Sequence, residues 1–133
     1  MCFHVLLACL PGLTSRDFKG IASLQEVECT GRNLKPEVKL LALQMFKFPE
    51  NMPLASLNIF SNTCVTLGDF ASCEISNVDT HRSKLRILVF DLEEGESRQF
   101  KCTANTLNSF GTSKTFSWQI RVTRVSKYTF ILA

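Results

Sequence analysis

The 133-residue chain has little histidine, tyrosine or tryptophan: two, one and one. It contains no G-x-S-x-G, no H-E-x-x-H and no phosphate-binding glycine loop. The usual marks of a hydrolase, a zinc protease and a nucleotide enzyme are therefore missing. No apolar run is long enough to span a membrane as a helix. No block of basic residues stands out, and a formal charge of +3 is too small and too scattered to argue for nucleic acid. No N-x-S/T occurs; Asn62-Thr63-Cys64 is the rare N-x-C form. Internal repeats, heptads and low-complexity tracts are absent, and almost nothing reads as an amphipathic helix longer than two turns. What is present suits one globular domain. Hydrophobic residues make up 45% and charged residues 20%, enough to bury a core. The 11 phenylalanines suit large side chains packed on a sheet.

Six cysteines are the strongest feature. Cys2 and Cys9 lie in the run MCFHVLLACLPGLTS, which is uncharged up to Arg16. Cys2–Leu13 has the length of a signal-peptide core and Ser15 is a small residue for the cut, although a basic start is missing. Residues 1–15 are read as a signal peptide, 16–126 as the domain and 127–133 as a short tail. Removing the leader leaves Cys29, Cys64, Cys73 and Cys102, the even number that a secreted disulfide framework needs.

Period-two patterning points to strands. Phe116, Trp118, Ile120 and Val122 alternate with Ser117, Gln119 and Arg121, which predicts a half-buried strand. RQFKCTA before it reads as its hairpin partner, joined through NTLNSFGTS. KLRILVF (84–90) is a third strand. VKLLALQMF (38–46) is ambiguous between strand and short helix, with strand favoured by its length and surroundings. In LQEVECT, Gln25, Val27 and Cys29 share a face. Two or three short strands follow between 54 and 75. The spacing predicts an all-β antiparallel sandwich.

The cysteines have three possible employments. Zinc sites favour close pairs, and the gaps here are long. A cysteine nucleophile needs a base, and the domain offers a lone His81 in a polar turn. Glu93, Glu94 and Glu96 read as a solvated turn. Disulfides remain. Cys29 and Cys102 lie on an early and a late strand that can face each other across a sandwich, closing a loop worth roughly 4 kcal/mol on the chain-entropy view. Cys64 and Cys73 suit a local hairpin staple, worth about 2.5–3 kcal/mol. The two other connectivities stay open.

An early cysteine, a late aromatic-x-cysteine and a following hairpin resemble an immunoglobulin domain. The resemblance places Cys29 on strand B, Cys102 on strand F, Phe116–Val122 on strand G, and Phe100 where such domains carry a corner tyrosine. Three departures stand against it. Phe100 has no hydroxyl. No tryptophan lies between the two cysteines, so Met45, Phe46 or Phe48 must pack on the disulfide. Strand A is short or missing.

More narrowly, CVTLGDFASCEIS and LEEGESRQFKCTANTLNSFGTSKTFSWQIRV resemble the N-terminal immunoglobulin domains of mollusc fibrinogen-related proteins, secreted immune lectins. The similarity covers roughly residues 24–124. That family sets such domains before a fibrinogen-like lectin domain, for which this chain has no room. The resemblance therefore implies a truncated product, a splice form or a fragment, and no sugar or calcium chemistry transfers to any residue here.

The expectation is a secreted, extracellular, non-enzymatic recognition module of invertebrate innate immunity, with no cofactor, metal, nucleic acid or membrane span. Its partner would be a protein or glycan surface. The candidate contact loop runs from Asn105 to Ser113, through Asn108, Phe110 and Gly111; Phe110 either projects or folds back onto the sandwich. The polar face of the last strand, with Gln119, Arg121 and Arg124, is a second candidate surface. An inert spacer and a small secreted inhibitor are the alternatives.

Overall fold

The computed structural model describes residues 13–17, 25–49, 53–68, 70–89, 92–126 and 129–132. Ten strands are formed among the described residues: β1 Leu13–Asp17, β2 Gln25–Thr30, β3 Lys39–Lys47, β4 Pro53–Asn58, β5 Thr63–Thr66, β6 Ala71–Glu74, β7 Lys84–Val89, β8 Ser97–Leu107, β9 Ser113–Arg124 and β10 Phe130–Leu132. They build two antiparallel sheets. One has four strands in the order β1-β2-β7-β6, and the other six in the order β10-β9-β8-β3-β4-β5. The expected sandwich is formed, and it has the immunoglobulin-like strand arrangement.

The leader expected over 1–15 falls partly outside the described residues and partly on β1, which pairs Leu13 with Cys29 and Asp17 with Gln25. The first strand is short rather than missing. The expected tail contributes β10, which pairs with the end of β9 and buries Phe130 and Leu132.

The ambiguous 38–46 segment is a strand, and a bulge explains the ambiguity. Leu40 pairs with Thr106 and Ala42 with Asn105, so Leu41 is an extra residue. A bulge lets Leu40 and Leu43 both reach the core despite their odd spacing. On the sequence alone that spacing imitates a helical face. Leu41 keeps its backbone occupied: its carbonyl accepts from Ile59 N at 2.9 Å.

The core lies between the sheets. Val27, Cys29, Leu85, Ile87 and Val89 come from one sheet, and Leu43, Met45, Phe100, Cys102 and Ile120 from the other. Cys29 and Cys102 are disulfide-bonded across it, 5.8 Å apart at Cα. Met45 stands opposite Cys102 on β3 and is fully buried. Of the three candidates for packing beside the cystine, Met45 alone takes the place. Phe46 turns to the outer face under Lys101, whose Nζ lies 4.8 Å from its ring centre, and Phe48 is exposed. On the other side of Cys102, Trp118 occupies the same row from β9 and stacks beside Phe116 at 6.4 Å.

The second disulfide, Cys64–Cys73, does not staple a hairpin. Cys64 is on β5, which pairs with β4, and Cys73 is on β6, which pairs with β7. The bond joins the open edges of the two sheets. The expectation failed because a nine-residue separation fits a hairpin and a sheet-to-sheet crossing equally well.

The four-stranded sheet carries a charged cluster. Arg86 Nη2 donates to Glu74 at 2.8 Å, and Arg86 Nε lies 3.3 Å from Glu28 and 3.8 Å from Glu26. Lys84 Nζ adds a contact to Glu74 at 3.8 Å. Burial acts to raise the pKa of Glu28. A hydrogen bond with Glu26 and the positive charges of Lys84 and Arg86 outweigh it and hold the carboxyl below its ordinary range.

Candidate binding pole

The register fixes which connections share an end of the sandwich. Lys39 pairs with Leu107, Leu107 with Ser113, Asn58 with Thr63, and Lys84 with both Thr30 and Glu74. Four connections therefore gather at one pole: 31–38, 59–62, 75–83 and 108–112.

The 108–112 connection is narrower than the expected contact loop. Asn105 belongs to β8, where its Oδ1 accepts from Thr115 Oγ1 at 3.0 Å. Asn108, Phe110 and Gly111 do lie in the turn. Asn108 Oδ1 accepts from Phe110 N and Thr112 N, both at 2.9 Å, and Asn108 O accepts from Gly111 N at 3.1 Å. Gly111 adopts φ +80°, where any side chain is strained. With the polar groups folded inward, Phe110 stands out at 91% exposure. Of the two possibilities for this side chain, projection is the one adopted.

Two further bare side chains occupy the neighbouring connections. Phe60 is 82% exposed in the 59–62 turn, and Val78 is wholly exposed in the 75–83 segment. Neither was singled out from the sequence. The signal was an apolar residue bordered by turn formers, Phe60 after Ile59 in NIFSNT and Val78 alone in SNVDTH. Lys39 Nζ sits 5.7 Å from the centre of the Phe60 ring.

The 75–83 segment is held by its own side chains. Asp79 caps a short 3-10 turn, Thr80–Arg82, through His81 N at 3.1 Å, and lies 3.6 Å from Arg82. Thr30 Oγ1 donates to His81 O at 3.1 Å, and Ser83 Oγ accepts from Ser76 N at 2.9 Å. The His81 ring hydrogen-bonds to Val38 O and so ties this segment to the start of β3. Between the two lies an open cleft of about 590 Å³, bordered by Arg32, Leu34, Lys39, Val78 and Arg82.

His81 is thus engaged with a backbone carbonyl, and all described cysteines are in disulfides. No group of three metal-ligating side chains occurs among the described residues. No described helix is long and apolar enough to cross a membrane. The second candidate surface divides. Gln119 and Arg121 lie on the outer face of β9, where Gln119 Oε1 accepts from Gln99 at 3.0 Å. Arg124 does not join them: its Nη1 donates to Leu92 O at 2.7 Å and its Nε to Ser126 O at 3.3 Å. The residue number is even where Gln119 and Arg121 are odd, so a period of two sends it to the other side.

No protein-family profile and no curated protein matches the chain. Among solved structures, that of murine CRIg is similar, with a TM-score of 0.56 at 8% identity, covering 86% of this chain and 96% of that one. At this identity the likeness concerns the fold alone, and that fold is an immunoglobulin-like β-sandwich.

Proposed function

We propose that the chain is a secreted, non-enzymatic recognition module that engages protein or glycan surfaces through the four-loop pole. One observation carries the reading: the 108–112 turn satisfies its own polar groups and leaves Phe110 bare. Large exposed aromatic residues are costly to solvate and are favoured where a partner covers them. The disulfides and the fold are in keeping with an extracellular location. The sequence resemblance to immunoglobulin domains of mollusc fibrinogen-related proteins supports a place in invertebrate innate immunity.

The test is binding of the labelled full chain to microbial and parasite surface extracts. The expected result is saturable binding that falls at least fivefold in a variant carrying Ser109→Ala and Phe110→Ser, with Asn108 and Gly111 kept. Equal binding by the two would overturn the reading and leave the module as a spacer.

A further inference from the structure

We infer that the loop pole docks on an anionic phospholipid membrane surface, with Phe60, Val78 and Phe110 entering the interface and basic side chains around them meeting the headgroups. This goes beyond the proposed protein or glycan partner and concerns the same pole.

The three most exposed large apolar residues among those described are these three, and they occupy three different connections of one pole. The other exposed apolar residues, such as Val65, Leu67 and Phe48, lie on an edge strand or in other turns and are less bare. Each tip is a single side chain, set apart by polar turn residues. Separate tips can enter a fluid interface one by one, because lipids rearrange around each.

Charge points the same way. The connections at this pole and the two strand residues on either side of each carry Arg32, Lys35, Lys39, Arg82, Lys84 and Lys114, against Glu37, Glu74 and Asp79. Six positive groups and three negative leave a net +3, equal to the formal charge of the whole chain. Asp79 is already engaged by Arg82 and by His81 N. Lys39 and Lys114 lie over the rings of Phe60 and Phe116, which holds cations beside the sandwich end. Arg32 and Lys39 border the cleft next to Val78. At the opposite end the turn between β7 and β8 exposes Glu93, Glu94 and Glu96. A molecule charged in this way turns its loop pole toward a negative surface before contact.

The test uses the full chain with vesicles of phosphatidylcholine, alone or with 30% phosphatidylserine, read by co-sedimentation. The apolar run before Leu13 is present in every variant, so only differences caused by the pole count. The expected result is binding to the anionic vesicles that weakens with salt. Phe110→Ser and Val78→Ser should each lower affinity by about tenfold, and Arg32→Ala by about fivefold. All three sites are exposed, and unchanged circular dichroism with both disulfides intact shows that the variants fold. Soluble phosphoserine should compete weakly, since it offers no interface for the apolar tips. Absence of vesicle binding overturns the inference, as does binding indifferent to Phe110→Ser and Val78→Ser. Full competition by phosphoserine also overturns it, in favour of a headgroup pocket. Vesicles contain only lipid, so binding to surface extracts without vesicle binding sinks the membrane and spares the recognition reading; vesicle binding without extract binding does the reverse.

Discussion

The two cystines differ in almost every physical respect. Cys29 and Cys102 are wholly buried, close a separation of 73 residues and sit between Met45 and Trp118 in the middle of the sandwich. Cys64 is exposed and Cys73 half-buried; they close a separation of nine residues at an edge. The first ties together strands that meet only when the whole fold forms. The second fastens two edge strands that their own sheets already hold, β5 through β4 and β6 through β7. β6 has a further hold on its sheet, because Glu74 is bound by Arg86 and Lys84. The centre therefore relies on one covalent link surrounded by packing, and the edge on a covalent link backed by charge. A disulfide's contribution depends on what else already performs its task.

Changes at the centre and at the edge should separate these roles. Cys29→Ala with Cys102→Val should have the largest effect, a loss of about 4 kcal/mol in denaturant unfolding and a sharp fall in secretion. A loss no greater than at the edge would erase the distinction. Cys64→Ser with Cys73→Ser should cost about 2.5 kcal/mol, with faster amide exchange confined to β5 and β6. Mild reductant followed by alkylation and peptide mass mapping should label Cys64 and Cys73 first, since Cys64 alone among the four is exposed to the attacking thiolate.

The charged backing at the edge is tested by Arg86→Met, which leaves Glu26 and Glu28 close together without their guanidinium. A loss of about 2 kcal/mol is expected at neutral pH, and a larger one where the edge cystine is also removed. The same cluster sets an acid dependence. The pKa of Glu28 is lower in the folded chain than in the unfolded one. Its contribution is therefore complete above the unfolded value and disappears as pH falls through the folded value. Glu28→Gln should flatten that part of the stability profile; an unaltered slope would remove Glu28 from the account. The smallest effect belongs to the loop pole: Phe110→Ser should alter unfolding stability by less than about 0.5 kcal/mol, because the side chain buries almost nothing.

Much of the fold could be read from periodicity. β9 shows it best: Ile120 and Val122 are buried, and Ser117, Gln119 and Arg121 are exposed. The pairing of Cys29 with Cys102 followed from the idea of two facing sheets. Three features escaped for local reasons. The β3 bulge hid a strand behind a helical spacing. The Cys64–Cys73 separation carried no information about which sheets its ends would join. Arg124 looked like surface because its partners are the backbone carbonyls of Leu92 and Ser126, which sequence patterns do not display. At the pole, the turn formers around Phe110 singled it out, with projection and folding back both open. Phe60 and Val78 gained meaning only when the topology brought their turns together.

The 108–112 turn also has an evolutionary consequence. Its shape depends on the carboxamide of Asn108 and the backbone freedom of Gly111. Ser109, Phe110 and Thr112 lend it only main-chain atoms in the described hydrogen bonds. Two positions carry the architecture while those between them are at liberty to change. Substitutions at the tip can then alter what is displayed without having to reinvent the loop, and a lineage under pressure from changing targets can explore new surfaces on a frame that stays the same.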